Sequence, residues 1–251
     1  MALLPEPIKA FNADSGEYAR YREDYPPQMI ADIVGMCPDK DIAVDCATGT
    51  GQVASQLSPY FREVVGIDQS PDQIAHAKQA KNVQYRVESA EDLAGIADGS
   101  VDLITVATAI HWFDQKKFFA NAKRVLKKGG VLAVFAIGAP SVKEDECAVD
   151  DFYDKYLSRY APKNFRPICL MQTPEGFSEC DSRSFYTKAV NRHVDDICGW
   201  ARTMSAWSII SKSNMADTIL AQLRSRLLAV ASADGRLDVN YDVPVKIFKK
   251  E

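Results

Sequence analysis

Between residues 41 and 138, short apolar runs of strand length alternate with segments of helical periodicity. Each run is apolar on both faces, which is typical of parallel strands covered by helices on both sides of a sheet. The predicted strands lie at 41–47, 63–68, 83–90, 101–110 and 131–138. This alternation predicts right-handed βαβ crossovers, and therefore an α/β fold with a doubly wound, Rossmann-like sheet.

Two of the predicted helices between these strands have clear boundaries. Ser70 can cap a helix over 70–81, because serine accepts a hydrogen bond from the first helical turn. A second helix begins near Gln115, where an apolar stripe recurs at helical spacing, and lysines fill its last turn. The glycine pair at 129–130 is expected to end that helix.

After Gly138 the alternation of strands and helices ends. Prolines flank a single predicted helix at 147–161, so this stretch is predicted to be an insertion over the sheet. We expect one domain over 1–251, containing a seven-stranded mixed sheet with an inserted helical cap on the side where a substrate would bind, called the acceptor side. Its predicted parts are an N-terminal lid (1–40), a cofactor-binding core (41–138), a substrate cap (139–182 and 196–232) and final antiparallel strands (183–195 and 236–250).

Composition and charge narrow the classes of partner. The 251 residues are 47% hydrophobic and 25% charged with a net charge of −4, which lacks the basic excess that nucleic-acid binding requires. The six cysteines form no C-x-x-C pair and are expected to be reduced thiols in the cytoplasm. No apolar stretch is long enough for a membrane span. We expect a monomer or homodimer that takes a small-molecule partner and no metal.

The segment DCATGTGQVA, residues 45–54, connects the first predicted strand to its helix. Gly49 permits a tight turn and Gly51 lets backbone approach a ligand. With Asp68 at the end of the second strand, the spacing also matches the nicotinamide-dinucleotide fingerprint, so a dehydrogenase is an alternative. Against it, Asp45 would repel a pyrophosphate but attract an ammonium group, no Tyr-x-x-x-Lys occurs, and no second βαβ half follows.

Three segments resemble motifs of class I S-adenosylmethionine-dependent methyltransferases: DCATGTG at 45–51, GID at 66–68 and SAEDL at 89–93. The resemblance implies S-adenosylmethionine as the cofactor, with an aspartate on the ribose hydroxyls and the SAEDL segment beside the adenine. The cofactor-binding residues that it implies are Tyr18, Arg22, Asp45, Ala47, Gly49, Gly51, Asp68, Gln69, Ala90, Glu91 and Ala107.

Three further segments, YARYREDYP at 18–26, AIHWFD at 109–114 and WARTMSAW at 200–207, resemble the fungal trans-aconitate methyltransferase branch. That branch implies a small acid as the methyl acceptor and a methyl ester as the product. Sequences typical of amide, pyrimidine C5 and metal-dependent catechol methylation are absent. N-methylation of a small amine and a cofactor-binding regulator without catalysis remain alternatives.

The candidate catalytic residues lie in two of these segments. His111 could act as a base or could hydrogen-bond the acceptor, and Trp112 could face the sulfonium cation. A carboxylate acceptor is ionised at neutral pH and needs no base, but it favours an arginine fork. Arg202 is the first candidate for that fork, and Arg20 and Arg22 are secondary candidates.

Overall fold

A helix precedes each of the first three strands in the computed structural model, which describes residues 20–160, 168–186 and 190–251, and another helix lies between the fourth and fifth strands. The strands are β1 (Ile42–Cys46), β2 (Glu63–Asp68), β3 (Val83–Val87), β4 (Val101–Ala107), β5 (Leu126–Phe135), β6 (Pro140–Val142), β7 (Phe177–Tyr186), β8 (Val190–His193) and β9 (Arg236–Lys250). The α-helices are α1 (Pro27–Gly35), α2 (Gln52–Leu57), α3 (Pro71–Ala75), α4 (Gln115–Val125), α5 (Ala148–Phe152), α6 (Val194–Arg202), α7 (Trp207–Ile210) and α8 (Ala216–Leu228).

The described residues group into two compact units. The first, called the core unit, comprises residues 24–137, 168–185 and 243–251. In its sheet, β1 to β5 are parallel in the order β3-β2-β1-β4-β5, and β9 runs antiparallel to β5. Strand β7 also pairs with β9. The prediction of a Rossmann-like α/β fold with a mixed sheet is confirmed.

A continuous apolar cluster fills the core unit. It joins the fully buried faces of β1, β4 and β5 to α4, whose Phe118 and Val125 are completely inaccessible to solvent. Burying a side chain of this size stabilises the fold by roughly 1.5–3 kcal/mol. The cluster therefore fixes the strands whose carboxyl ends carry the candidate site.

The second unit, called the helical unit, comprises residues 20–23, 138–160, 186 and 190–242. Strands β6 and β8 pair antiparallel with the first half of β9 in this unit. Helices α6 and α8 belong to it, and the Arg226 side chain of α8 donates to both Asp145 and Asp151. Within the described residues, no helix is both long and apolar enough to cross a bilayer.

Several element boundaries differ from the sequence-based expectations. Helix α3 ends at Ala75 and does not continue to residue 81, because tertiary bonds take over the backbone: the Lys78 N–H donates to Thr50 O and the Tyr85 hydroxyl donates to Lys78 O. Helix α4 ends at Val125, before the glycine pair, because Leu126 pairs in register with Val101 and starts β5.

The predicted cap also differs in its boundaries. The helix expected at 147–161 is α5 followed by a π-helical turn and a 3₁₀ turn up to Tyr160. Strand β7 begins at Phe177, inside the segment predicted as cap, and residues 168–185 belong to the core unit. Helix α6 begins at Val194, inside the segment predicted as a final strand.

Candidate functional site

The order of strands in the core unit reverses between β1 and β4, which are neighbours in the sheet although β2 follows β1 in the chain. Open α/β sheets bind ligands at the carboxyl ends of the strands where such a reversal occurs. The segments that leave β1, β2, β3 and β4 at this edge contain most of the residues predicted for cofactor binding. The candidate site is therefore built on this edge.

The turn after β1 has a special backbone. Ala47, Gly49 and Gly51 have positive φ angles of 54°, 55° and 75°, a region in which only glycine is unstrained. The Thr48 N–H donates to Ile67 O at 2.9 Å and so ties the turn to β2. The turn leads into α2, for which Gly51 is the residue before the first turn.

The two glycines of the turn have different surroundings. A Cβ at Gly49 would have only Gln73 Oε1 nearby, at 3.6 Å, so this position is open. A Cβ at Gly51 would overlap the ring of Tyr85, with Cζ at 2.8 Å. Gly51 is thus required by the close approach of a side chain from β3, whereas Gly49 is partly exposed and leaves space beside the turn.

Asp45, at the end of β1, is 1% exposed, and its carboxylate hydrogen-bonds residues of the turn. Its Oδ2 accepts from Thr48 Oγ1 at 2.6 Å and from the Ala54 N–H at 3.2 Å, and its Oδ1 accepts from Thr105 Oγ1 at 2.7 Å. Burial raises the pKa of this carboxyl to about 6, against the effect of these hydrogen bonds. The attraction of a ligand's ammonium group to this carboxylate stays a prediction. In the structure the carboxylate hydrogen-bonds the turn, the start of α2 and β4.

Asp68, at the end of β2, is partly buried. Its Oδ2 accepts from the Gly49 N–H and its Oδ1 accepts from the Ser70 N–H, both at 2.9 Å. Burial raises the pKa of Asp68, and the backbone hydrogen bonds oppose that shift. A carboxylate has about four lone-pair sites, so Asp68 retains acceptor capacity for a pair of hydroxyl groups.

The segment after β3 lies against the start of α4. Glu91 Oε1 accepts from the Asp114 N–H at 2.8 Å, and Asn121 Nδ2 donates to Glu91 O at 3.0 Å. Ala90 is 4% exposed, and Gln69 Nε2 donates to Ser89 Oγ at 3.3 Å. These bonds hold the SAEDL segment next to the segment that follows β4.

The segment that follows β4 holds the predicted catalytic side chains of the core unit. Ala107 ends the strand, and a 3₁₀ turn at Ile110–Trp112 contains His111 and Trp112. The rings of these two residues lie 4.9 Å apart, centroid to centroid. Desolvation lowers the pKa of His111 to about 4, so the imidazole is neutral at pH 7.

Arg202 and Arg22 belong to the helical unit. Arg22 Nε donates to Thr203 Oγ1 at 2.9 Å, and its guanidinium lies 5.5 Å from the ring of Trp200. Arg202 lies 5.7 Å from the ring of Tyr21 and contributes to a pocket of about 280 Å³ between α6 and α8. The pocket is lined by Tyr21, Asp195, Cys198, Arg202, Asp217, Leu220, Ala221 and Arg224. Tyr18 lies outside the described residues.

Sequence reasoning missed three residues of the candidate site. Tyr25 hydrogen-bonds Thr108, the residue after β4, and Thr108 has a positive φ of 55°. Tyr85 covers Gly51 and also packs on Gly66. The segment YREDYP gave no reason to choose Tyr25 over its neighbours, and positive φ at a threonine has no sequence signature.

The donor set at this edge fits a phosphate-free nucleoside with a positive charge. The open side of the partly buried turn at Gly49 and the carboxylate of Asp68 suit a ribose, while the buried carboxylate of Asp45 disfavours a pyrophosphate. The aromatic Trp112 and the neutral His111 suit a cationic sulfur centre. The fold and the site together define a class I methyltransferase.

Comparison with known proteins gives the same class. The family described as "Methyltransferase domain" matches residues 44–134. A Dictyostelium discoideum protein named as a methyltransferase is 30% identical over 99% of this chain and 98% of its own length. The chain therefore belongs to the S-adenosylmethionine-dependent methyltransferases, and S-adenosylmethionine is its cofactor. This result decides against the dehydrogenase alternative.

Another curated protein and two solved structures are similar to this chain. The Saccharomyces cerevisiae protein CRG1, named as an S-adenosylmethionine-dependent methyltransferase, is 28% identical over 63% of this chain and 59% of its own length. A methyltransferase structure from Anaeromyxobacter dehalogenans superposes with a TM-score of 0.76 at 27% identity, covering 90% of this chain and 97% of that one. A Haemonchus contortus N-methyltransferase, solved with S-adenosylhomocysteine, shares the fold: its TM-score is 0.52 at 16% identity, covering 100% of this chain and 60% of that one.

Proposed function

We propose that this methyltransferase transfers a methyl group to the carboxylate of a small acid, forming a methyl ester and S-adenosylhomocysteine. The observation that carries the proposal is the partly buried position of His111 on the turn that follows β4. Desolvation there lowers the pKa of the imidazole to about 4. Such an imidazole is a weak base at neutral pH. It suits an acceptor that is already ionised and needs no proton removed.

The alternative acceptor, a small amine, would require a base in the site. A small amine is protonated at neutral pH, with an ordinary pKa of about 10, and must lose a proton before its nitrogen can accept a methyl group. A histidine with a pKa near 4 is poorly matched to that proton transfer, because an efficient base has a pKa near the operating pH. The one acidic residue of the segment AIHWFD, Asp114, caps α4, where its Oδ1 accepts from the Lys117 N–H at 3.2 Å.

We assign the cofactor's parts to the residues at the strand ends. Asp68 would accept from the ribose hydroxyls, and Ala90 and Glu91 would lie beside the adenine with Gln69 at the edge of the ribose. The turn from Ala47 to Gly51 would line the amino-acid end; the contribution of Asp45 is to hold that turn in place through Thr48 and Ala54. When bound, S-adenosylmethionine supplies the electrophilic methyl group on its sulfonium.

The residues after β4 would form the acceptor side. Ala107 would border the sulfonium, Trp112 would shield it from water, and His111 would hydrogen-bond and orient the acceptor. Orientation of the two reactants can lower the barrier by roughly 7–11 kcal/mol, so positioning can supply most of the catalysis. Tyr18 and Arg22 complete the proposed set on the cofactor's amino-acid end.

Arg202 is our candidate for binding the acceptor's carboxylate. Its guanidinium contributes to the pocket between α6 and α8, where Tyr21 and Leu220 provide apolar surface. An arginine fork can donate two parallel hydrogen bonds to a carboxylate. The segments 18–26, 109–114 and 200–207 support a place in the trans-aconitate methyltransferase branch, and a carboxylate-binding role for Arg202 is consistent with it.

We propose that the chain works as one catalytic domain. Residues 1–40 would act as a lid, 41–138 as the cofactor-binding core, and those parts of 139–182 and 196–232 that belong to the helical unit as the acceptor cap. The cysteines in the described part of the chain are unpaired, which supports a reducing, cytoplasmic location. We propose that the enzyme works as a monomer or homodimer.

A labelling experiment tests the acceptor class. The protein is incubated with methyl-labelled S-adenosylmethionine and either small di- and tricarboxylic acids, including trans-aconitate, or small primary amines. We expect label only with acids, in a product that releases labelled methanol in mild alkali, as an ester does. Base-stable label that appears with amines and not with acids would replace the proposal with N-methylation.

A further inference from the structure

Tyr25 contacts three parts of the core unit that border the candidate site. Its hydroxyl is 2.9 Å from Thr108 Oγ1, immediately after β4. Its carbonyl accepts from Gln56 Nε2 at 2.9 Å, in the helix that follows the glycine turn. Its ring packs edge-to-face on Phe135, with centroids 4.9 Å apart. Tyr25 is therefore buried at 6% exposure between the cofactor turn and the acceptor side.

Thr108 needs this support because its backbone is strained. Its φ of 55° lies in the left-handed region, which is a genuine outlier for a β-branched residue. The Thr108 N–H donates to Phe135 O at 2.8 Å, and Thr108 Oγ1 accepts from the Ile137 N–H at 3.3 Å. Strain of this kind persists only where the surroundings fix it, and it is concentrated at functional sites.

The conformation of Thr108 sets the path of the chain that follows. Ala109 is the residue before the 3₁₀ turn at Ile110–Trp112, so the direction in which this turn leaves β4 depends on φ at Thr108. His111 lies on that turn. The side-chain hydroxyl of Thr108 is held by Tyr25 on one side and by the backbone N–H of Ile137 on the other.

We propose that Tyr25 is a positioning residue: through its hydrogen bond to Thr108 it fixes the turn that carries His111, and through Gln56 it keeps that turn in register with the cofactor turn. This inference rests on the acceptor-side role of His111 proposed above. The hydroxyl is the essential group. A phenylalanine would keep the ring contact with Phe135 but would remove one of the two hydrogen bonds of the Thr108 hydroxyl, leaving only the bond from the Ile137 N–H.

Variants of the two residues separate positioning from packing. Tyr25→Phe removes only the hydroxyl, Thr108→Ser keeps a hydroxyl at residue 108, and Thr108→Val keeps the side-chain shape without it. Tyr60→Phe is the matched control, because Tyr60 is 42% exposed. Thermal unfolding of each variant with S-adenosylhomocysteine identifies any that fail to fold.

The first readout needs no acceptor. The chain has three histidines, His76, His111 and His193, so each ring resonance in a ¹H–¹³C NMR spectrum can be assigned with a His→Gln variant. In the S-adenosylhomocysteine complex, we expect Tyr25→Phe and Thr108→Val to shift or broaden the His111 resonances while those of His76 and His193 stay in place. Unchanged His111 resonances in Tyr25→Phe would overturn the proposal.

The second readout is kinetic, with trans-aconitate as the acceptor. We expect Tyr25→Phe to lower kcat about tenfold or more, since a small misplacement of a reacting group can cost up to about a hundredfold, with the KM for S-adenosylmethionine changed less than twofold. Thr108→Ser should retain most of kcat. In the Thr108→Val background, Tyr25→Phe should cause no further loss; a full second loss would show that Tyr25 does not act through Thr108.

The two readouts distinguish the failure of this inference from failure of the proposed function. Absence of turnover with trans-aconitate in the unmodified protein would count against the ester-forming reaction. The NMR comparison would still decide whether Tyr25 positions His111.

Discussion

The backbone N–H of Gly49 donates a 2.9 Å hydrogen bond to the carboxylate of Asp68, which lies nineteen residues further along the chain. This bond joins the glycine turn after β1 to the end of β2. One carboxylate thus shapes the turn and, in our proposal, binds the ribose that the turn accommodates. The sequence suggested the glycine turn and Asp68 as two separate features, and the structure shows that they are joined by a hydrogen bond.

The first prediction concerns Asp68→Ala. Loss of a hydrogen bond to a charged group costs roughly 1.5–3 kcal/mol, so we expect the affinity for S-adenosylhomocysteine to fall at least about tenfold in calorimetry. Asp98→Ala is the control, because the Asp98 side chain is 75% exposed and pairs with Arg124 at the surface. Unchanged affinity in Asp68→Ala would remove Asp68 from the cofactor site.

The second prediction isolates the contact between Gly51 and Tyr85. Gly51 and Gly129 have φ angles of 75° and 73°, but a Cβ at Gly129 would meet nothing within 4 Å. We expect Gly129→Ala to cost about 1 kcal/mol of unfolding free energy from backbone strain alone. Gly51→Ala should cost roughly 1–3 kcal/mol more, because it overpacks the Tyr85 ring.

Denaturant unfolding measures both glycine variants. In a Tyr85→Ala background the ring is gone, so Gly51→Ala should lower the free energy of unfolding only about as much as Gly129→Ala does in the natural protein. If the two glycine variants are equally destabilised, the Tyr85 contact does not restrict residue 51.

The core of this fold could be predicted because its signals are local. Strands β1, β2 and β4 are apolar on both faces and bounded by polar residues, and the structure places them within the predicted ranges. The end of α3 could not be predicted in the same way. Its sequence continues with helix-forming residues, and the helix stops at Ala75 because Thr50 and Tyr85 bind the backbone of Lys78.

In the candidate site, too, features with local sequence signals could be predicted and features that depend on distant residues could not. The glycine turn and Asp68 follow from motif spacing, and the structure brings them into contact. The buried state of the Asp45 carboxylate depends on Thr105, sixty residues away, and the support of Thr108 depends on Tyr25, eighty-three residues away. Long-range partners of this kind leave no pattern in a single sequence.

The third prediction is a pH dependence of stability. The pKa of His111 is about 4 in the folded protein, below its ordinary value of 6.5, so between these pH values the unfolded chain binds the extra proton. The contribution of His111 to the free energy of unfolding is therefore at its maximum above about pH 6.5. It falls by about 3 kcal/mol in total as the pH is lowered to about 4.

His111→Gln should lack this dependence. The difference in unfolding free energy between the natural protein and the variant, measured by denaturant titration at each pH, should rise from pH 4 to pH 6.5. Burial raises the pKa of Asp45 to about 6, so Asp45 changes the stability with pH in the opposite direction over an overlapping pH range. Its contribution is the same in both proteins and cancels in the difference. A difference that is flat with pH would contradict the burial of His111.

The fourth prediction concerns acceptor binding. Arg202→Ala should raise the KM for trans-aconitate at least about tenfold, since it removes charged hydrogen bonds worth roughly 1.5–3 kcal/mol each. Affinity for S-adenosylhomocysteine should change less than twofold. Arg62→Ala is the surface control, because the Arg62 side chain is 69% exposed. Equal loss of both ligands in Arg202→Ala would show that Arg202 maintains the fold of α6 and does not bind the acceptor.

The most direct test of the site assignment is a crystal structure with S-adenosylhomocysteine. We predict both ribose hydroxyls within hydrogen-bond distance of the Asp68 carboxylate, the adenine beside Ala90 and Glu91, and the sulfur facing the segment from Ala107 to Trp112. A ribose bound away from Asp68, or a sulfur turned away from the end of β4, would contradict the account.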